Sequence, residues 1–335
     1  MKTQISTVAR GHLPIDFGLV GESPAMTMLA EYLPKVARSR ATVLVTGETG
    51  TGKERVAQTI HALSPRSVKP FVVVNCGALP DTLIESELFG HTRGAFTGAI
   101  SALRGKLTEA DGGTLFLDEI GEMTHYAQSR LLRVLETQEV QPLGGGSPHH
   151  VDIRVVAATN RDLENEVAAH RFRADLYYRL NVARLIVPPL RDRPGDVALL
   201  ARHVIAEFNQ RDKTDVDGPS ADLLAVLMAY DWPGNVRELR NVIEAVFIDP
   251  PIGQVEFEHL PLALQKKFAC YRHTTPASER SRLIEVLERT NWNKVETAKA
   301  LNWSRMTLYR KLVKYDVTEG GSFGRLADVT SVPVK

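Results

Sequence analysis

Val43-Leu-Val-Thr-Gly47-Glu-Thr-Gly50-Thr-Gly52-Lys53-Glu54 sets a short apolar run against three glycines, a lysine and a helical pattern that begins near Arg55. Strand, glycine-rich loop and helix are the context in which backbone N–H groups close around phosphate oxygens. The positive end of the helix dipole stands behind them, and Lys53 reaches the outer phosphates. The phosphate cradle is therefore assigned to Gly47, Glu48, Thr49, Gly50, Thr51, Gly52, Lys53 and Glu54. The general pattern has Ser or Thr after the lysine, as a hydroxyl ligand to magnesium. Here Glu54 stands in its place.

A second stretch, Gly112-Gly-Thr-Leu-Phe-Leu-Asp118-Glu119, is an apolar strand ending in two carboxylates. Beside a phosphate loop, Asp118 suits a magnesium ion and Glu119 suits polarising the attacking water. The nucleotide site is extended accordingly over Ala110, Asp111, Gly112, Gly113, Thr114, Leu115, Phe116, Leu117, Asp118 and Glu119, and the expected ligands are ATP and Mg2+. A third strand, 153–158, ends in Thr159-Asn160, where an amide can orient water or sense the γ-phosphate. Taken by itself, Asn160 reads more readily as a turn residue closing the strand.

Farther out, β-branched runs at 42–46, 71–75, 114–117 and 151–157 alternate with helix-like stretches such as 54–63 and 127–139. That alternation predicts an α/β fold, a parallel sheet with helices on both faces, over residues 18–190 behind a short extension at 1–17. From 195 to 247 helical periodicity takes over, which predicts a small all-α subdomain within 191–249. Pro250, Pro251, Gly253, Pro261 and Pro276 then interrupt regular structure, so 250–278 is expected to be a linker. Residues 318–335 lack periodicity and are expected to be a disordered tail.

The full chain of 335 residues is nearly neutral, with 41 basic and 40 acidic residues and 43% hydrophobic residues, which excludes wholesale disorder. Between 280 and 315, however, nine Lys or Arg face three Glu, a local excess of basic charge on helical periodicity. Such a module, placed at 279–317, is suited to nucleic acid. Two cysteines support neither a disulfide framework nor a complete zinc site, and they fit a reducing compartment, the cytoplasm. No apolar run reaches the roughly 18 residues of a membrane span. Cys76 reads as a small buried residue rather than a nucleophile. His149 and His150 fall in an expected loop without a third ligand at suitable spacing.

Gly94-Ala95-Phe96-Thr97-Gly98-Ala99, preceded by Glu87-Leu-Phe-Gly90, resembles the loop with which one family touches sigma-54: the AAA+ ATPases of bacterial enhancer-binding proteins, the NtrC-like activators of sigma-54 RNA polymerase. The resemblance covers about 18–316, and Glu54 matches it, since Gly-Lys-Glu is common in that family. It implies an AAA+ ATPase with a helical lid, a ring of subunits (a hexamer), and a Fis-type helix-turn-helix. It also implies roles for particular residues. Asn75 is similar to a polar switch near the catalytic glutamate, Asn160 to sensor I, and Arg237 to sensor II. Arg173 and Arg179 are similar to trans-acting arginines, with the choice between them open. An arginine beside a neighbour's γ-phosphate would make hydrolysis depend on ring assembly.

The helix-turn-helix is expected at 282–290, 295–301 and 304–315, with Ser304 as N-cap, Asn302 in the turn where a glycine is usual, and Arg305, Thr307, Arg310, Lys311 and Lys314 available for DNA. The implied partners are sigma-54 holoenzyme, upstream enhancer DNA bound by a dimer, and further copies of the chain. The expected function is ATP-driven isomerisation of the closed polymerase complex to the open one. Two rivals differ in class: a repressor that uses nucleotide only as a ligand, and a ring ATPase that remodels another protein. Glu119 and the two arginines argue against the first, and the 94–99 loop with the helix-turn-helix argues against the second. So few residues precede position 18 that no receiver or sensor domain is expected there. Restraint is expected from abundance, a separate regulatory protein or a hetero-assembly.

Overall fold

The computed structural model of the chain describes residues 19–78, 80–96, 98–272, 276–301, 303–315 and 317. The 1–17 extension, Thr97, Asn302 and the 318–335 tail, each given an expectation above, lie outside the described residues. Two compact units divide the chain, one drawn from 1–218 and 230–255, the other from 219–229 and 256–335.

The first unit holds a five-stranded sheet in the order Phe71–Asn75, Thr114–Asp118, Arg154–Thr159, Val43–Thr46, Ala183–Ile186, with every pair parallel. Side chains alternate between its two faces, as a pleated strand requires. Leu44, Leu115, Leu117, Val155 and Ala157 join one core with the His125–Thr137 and Ala174–Leu180 helices. Val43, Val45, Phe116, Val156 and Ala158 join the other, with the Pro24–Arg38 and Lys53–Ala62 helices. The register sets Asn75 beside Asp118 and Thr46 beside Thr159, so the carboxyl ends of the strands finish at one edge. In open α/β sheets ligands bind at that edge.

Two expectations about the segments that follow are corrected. The 195–247 region is not purely helical. After the Pro194–Asp212 helix, Lys213 takes a left-handed conformation (φ 56°), and strand Val216–Pro219 pairs with Gly253–Val255. Asn209 clips that strand by accepting from Val216 N–H (3.1 Å) and donating to its carbonyl (2.9 Å). Three or four residues are too few for a period-two pattern to stand out. Within 191–249 the Ala221–Ala229 helix groups with the second unit.

Residues 250–278, expected as a linker, also carry structure: strand Gly253–Val255, a 3-10 turn at Phe257–His259 and the Leu262–Arg272 helix, whose Phe268 is fully buried. Pro261 and Pro276 fall just before or at the first turn of helices, where the missing N–H costs nothing. Prolines there punctuate elements rather than prevent them.

In the second unit, helices Pro276–Arg289, Lys294–Ala300 and Arg305–Lys314 enclose Leu283, Val286, Leu287, Ala298, Leu301 and Leu308. The first of these starts at Pro276 rather than at 282. Asn293 and Ser304 cap the next two, Ser304 Oγ accepting from Thr307 N–H at 3.1 Å. Among the described residues no helix is long and apolar enough to cross a membrane.

Candidate functional site

Between the carboxyl edge of the sheet and the Pro194–Asp212 and Asn235–Val246 helices lies a cleft of about 480 Å³. Thr49, Gly50, Gly52, Lys53 and Glu54 line it from the phosphate loop, Asp118 and Glu119 from the strand end, and Arg237 from the Asn235–Val246 helix. Gly50 has φ +79°, and a Cβ there would run into the Gly234 carbonyl oxygen; only glycine lets the two segments approach so closely. Gly52, at φ 104°, turns the chain into the Lys53–Ala62 helix and leaves its first N–H groups facing the cleft.

Lys53 is buried, and its ammonium donates to the Gly47 carbonyl (3.0 Å) and stands 3.6 Å from a Glu119 carboxylate oxygen. Asn160 joins two parts of the site: its backbone N–H donates to Glu119 Oε2 (3.3 Å), and its side-chain amide donates to Thr49 Oγ1 (3.1 Å). Glu119 itself sits at φ 51°, a left-handed conformation sparsely used by residues with a Cβ. Burial, reinforced by the Glu119 charge, pushes the Asp118 carboxyl up from its ordinary value while Lys53 opposes the shift. Two adjacent carboxylates with one ammonium for company suit a hard divalent cation, which uses one or two carboxylates together with phosphate oxygens.

Other assignments fare differently. Ala110, Leu115, Phe116 and Leu117 are fully buried in the core, and Thr114 is buried with its hydroxyl bonded to His61 Nδ1 (2.9 Å). Asp111 accepts from Asp152 N–H (2.8 Å), and Gly112 and Gly113 lie before the amino end of the same strand. Ala110 to Leu117 are therefore corrected from nucleotide contacts to the strand and turn that carry Asp118 and Glu119. Asn75 reaches the same edge, but its side-chain oxygen accepts from Gly77 N–H (2.9 Å). Neither Arg173 nor Arg179 lines the cleft. Arg173 grips Asp175 with two nitrogens (3.0 and 2.7 Å), and Arg179 donates to the Leu135 carbonyl (2.9 Å) beside a separate hollow of about 260 Å³.

The cleft also contains residues for which the sequence gives little signal. Val20, Leu200, Val204 and Val236 form an apolar wall, accompanied by His203 and the paired Glu207 and Arg240. Asn235, fully buried at φ 52°, donates to the Thr49 carbonyl (3.0 Å) and to Glu48 (3.2 Å) and accepts from Leu190 N–H (2.7 Å). Arg191 binds Glu48 (2.8 Å), and this hydrogen bond, seconded by Asn235, holds the Glu48 carboxyl below its ordinary range. Buried Arg193 donates to the Thr51 carbonyl (3.2 Å). The start of the Asn235–Val246 helix and the 190–193 turn thus touch the phosphate loop through side chains that no local motif announces.

Cys76 is buried, and burial, with the charges of Asp118 and Glu119, pushes its thiol up to about 12, which leaves no thiolate for chemistry. His149 and His150 form a short strand with Glu139–Val140 rather than a loop, and His149 Nε2 lies 2.8 Å from Thr108 Oγ1.

Two further segments carry assigned residues. Gly90–His91 and Leu103–Arg104 pair antiparallel, and between them Gly94 N–H donates to the Ala99 carbonyl (2.9 Å). Gly94 and Gly98 have φ +79° and +103°; Ala95 precedes Phe96, which is 39% exposed with its ring 5.0 Å from that of His91. Ala99 is buried at the base. In the second unit Ser304, Arg305, Arg310 and Lys314 are exposed, whereas Thr307 and Lys311 are half-buried.

A family described as "Sigma-54 interaction domain" matches residues 19–186, one described as "AAA+ ATPase lid domain" matches 191–276, and "Bacterial regulatory protein, Fis family" matches 275–315. The chain is 47% identical over 301 residues to the transcriptional regulatory protein ZraR of Escherichia coli K12, across 88% of this chain and 68% of that one. It is 45% identical over 315 residues to the regulatory protein AtoC of the same organism, across 89% and 68%. Among solved structures, NtrX from Brucella abortus in complex with ADP superposes with a TM-score of 0.69 at 32% identity, covering 90% of this chain and 71% of that one. Its complex with ATP superposes at 0.68 and 33%, covering 89% and 70%.

Proposed function

The chain belongs to the family built on the sigma-54 interaction domain, and from that premise we propose how its residues divide the work of a sigma-54-dependent transcription activator. It is an ATP-binding ATPase with a Fis-type helix-turn-helix for DNA. The observation that carries the assignment of residues is the convergence of Lys53, Asp118, Glu119, Asn160 and Arg237 around one cleft.

In this reading Lys53 and the backbone N–H groups of 47–53 bind the phosphates. Glu119 accepts the proton of the attacking water, its carboxylate held by the Asn160 N–H. Asp118 would hold Mg2+, which when bound neutralises charge on the phosphate oxygens. Arg237 reaches the phosphates from the lid helix, and Asn75 contributes from the neighbouring strand end. Arg173 and Arg179, outside their own subunit's cleft, serve a neighbour's cleft in a hexameric ring. The segment with Gly94, Ala95, Phe96, Thr97, Gly98 and Ala99 presses on sigma-54, and hydrolysis converts the closed polymerase complex to the open one. A dimer of the 279–317 modules binds enhancer DNA in the cytoplasm through Ser304, Arg305, Thr307, Arg310, Lys311 and Lys314.

Strand opening on a supercoiled template bearing a site for the protein tests the whole. With ATP, the purified chain should open promoters held by sigma-54 holoenzyme and leave those held by the main sigma factor closed. Equal action on both, or on neither, refutes the assignment.

A further inference from the structure

The solvent face of the Arg305–Lys314 helix is not uniformly polar. Leu308 is fully buried and Leu312 packs on the same core, yet Met306 is 70% exposed, Tyr309 49% and Val313 82%. At spacings of three and four residues these three share one stripe along the helix. Exposed Arg305, Arg310 and Lys314 flank it, and the Lys294 ammonium lies 5.5 Å from the Tyr309 ring.

An apolar stripe between cations fits a surface with anionic rims and an apolar group on its floor. The major groove of DNA is such a surface: phosphates line both sides, and the C5-methyl of thymine is the apolar group that base edges present there. A second copy of the same stripe would bring Arg305, Arg310 and Lys314 against themselves, which like-charge repulsion disfavours. Helices of this kind turn their amino-terminal residues to the base edges, and Met306 is the second residue of the helix.

We propose that Met306 reads a thymine methyl in the major groove, with Tyr309 and Val313 extending the apolar contact, so that thymine is specified beside the bases read by the flanking arginines. The inference rests on the helix-turn-helix binding DNA, and it adds which chemical group of the DNA is recognised.

Duplexes enriched from a random pool by the full-length chain provide the probe, and each thymine is replaced in turn by uracil, which removes the methyl and keeps every hydrogen bond. At a fixed salt concentration, wild type should bind about fourfold more weakly when the contacted thymine loses its methyl. Met306→Ala should bind the two duplexes equally, while Arg305→Ala should keep the preference for thymine over uracil. Sequence-specific binding that is indifferent to uracil at every position overturns the proposal and leaves DNA binding in place. Loss of self-association in Met306→Glu, with no effect of uracil, overturns it in favour of a contact between copies. Failure to enrich any sequence would defeat DNA recognition by this module and the proposal with it.

Discussion

The Lys53 ammonium lies 3.6 Å from the Glu119 carboxylate, so the group assigned to the phosphates and the group assigned to the water face each other across the cleft. Their roles separate on mutation. Lys53→Ala removes a charge-assisted phosphate contact and should weaken ATP binding roughly 10- to 100-fold. Glu119→Gln keeps the shape of the side chain and loses only the base, so binding should persist while turnover falls by about 10² to 10⁴. Equilibrium nucleotide binding beside steady-state hydrolysis checks both; undiminished turnover in Glu119→Gln removes the assignment.

Asp118 gives a pH dependence whose direction follows from its surroundings. Burial first, and the Glu119 charge second, raise its carboxyl from the ordinary value, with Lys53 opposing. A raised carboxyl takes up its proton earlier as the pH falls, and only the ionised form binds a cation. Hydrolysis should therefore decline on the acid side at a higher pH than an unperturbed aspartate would give, and added Mg2+ should move that decline to lower pH. Half-buried Asp118 also opposes folding once ionised, an effect relieved as the pH falls. Profiles of kcat/KM at two Mg2+ concentrations test this, and an acid limb that ignores the metal contradicts it. Chelating Mg2+ should abolish turnover.

Asn235 connects the Asn235–Val246 helix to the phosphate loop through two hydrogen bonds, to Thr49 and Glu48, and to the 190–192 turn through a third, from Leu190 N–H. Asn235→Ala strands a buried N–H and a carbonyl and places alanine at a positive φ, which should cost about 2–4 kcal/mol. Thermal unfolding with and without ATP reads the loss. A variant as stable as wild type would show that the clamp contributes little.

Arg173 and Arg179 are absent from the lining of their own cleft. If either serves a neighbour, activity per subunit should rise with protein concentration as rings form, and replacing that arginine by alanine should cut saturating turnover by about 10³. Specific activity that stays flat from monomer to ring contradicts a trans role.

What the sequence made legible was local chemistry. Gly47 to Glu54 needs only a strand, a turn and a helix start, and Asp118-Glu119 needs only a strand end; both patterns lie within a few residues. The wall formed by Val20, Leu200, Val204, His203 and Arg240 comes from three distant segments, and ordinary helix periodicity hides its role. Asn235 carries no local signal of its role, because its partners lie 45 and 186 residues away. The excess assignment of Ala110 to Leu117 had a remedy in the strand pattern itself: parallel strands offer ligands only their carboxyl ends, so Asp118 and Glu119 alone qualified. The helix at Leu262–Arg272 was obscured by prolines that mark its boundaries rather than forbid it.

In the proposed function the cleft does the chemistry and the 94–99 loop delivers it to sigma-54. Phe96 is part-exposed on that loop and touches His91, not the nucleotide cleft. The decisive measurement is the number of open complexes formed per ATP hydrolysed by Phe96→Ala with sigma-54 holoenzyme on a supercoiled template. Hydrolysis should stay near the wild-type rate and the yield of open complexes should be about thirtyfold lower, the loss of one aromatic anchor at an interface. A parallel fall in hydrolysis and opening with rings intact, or an unchanged yield per ATP, would contradict it.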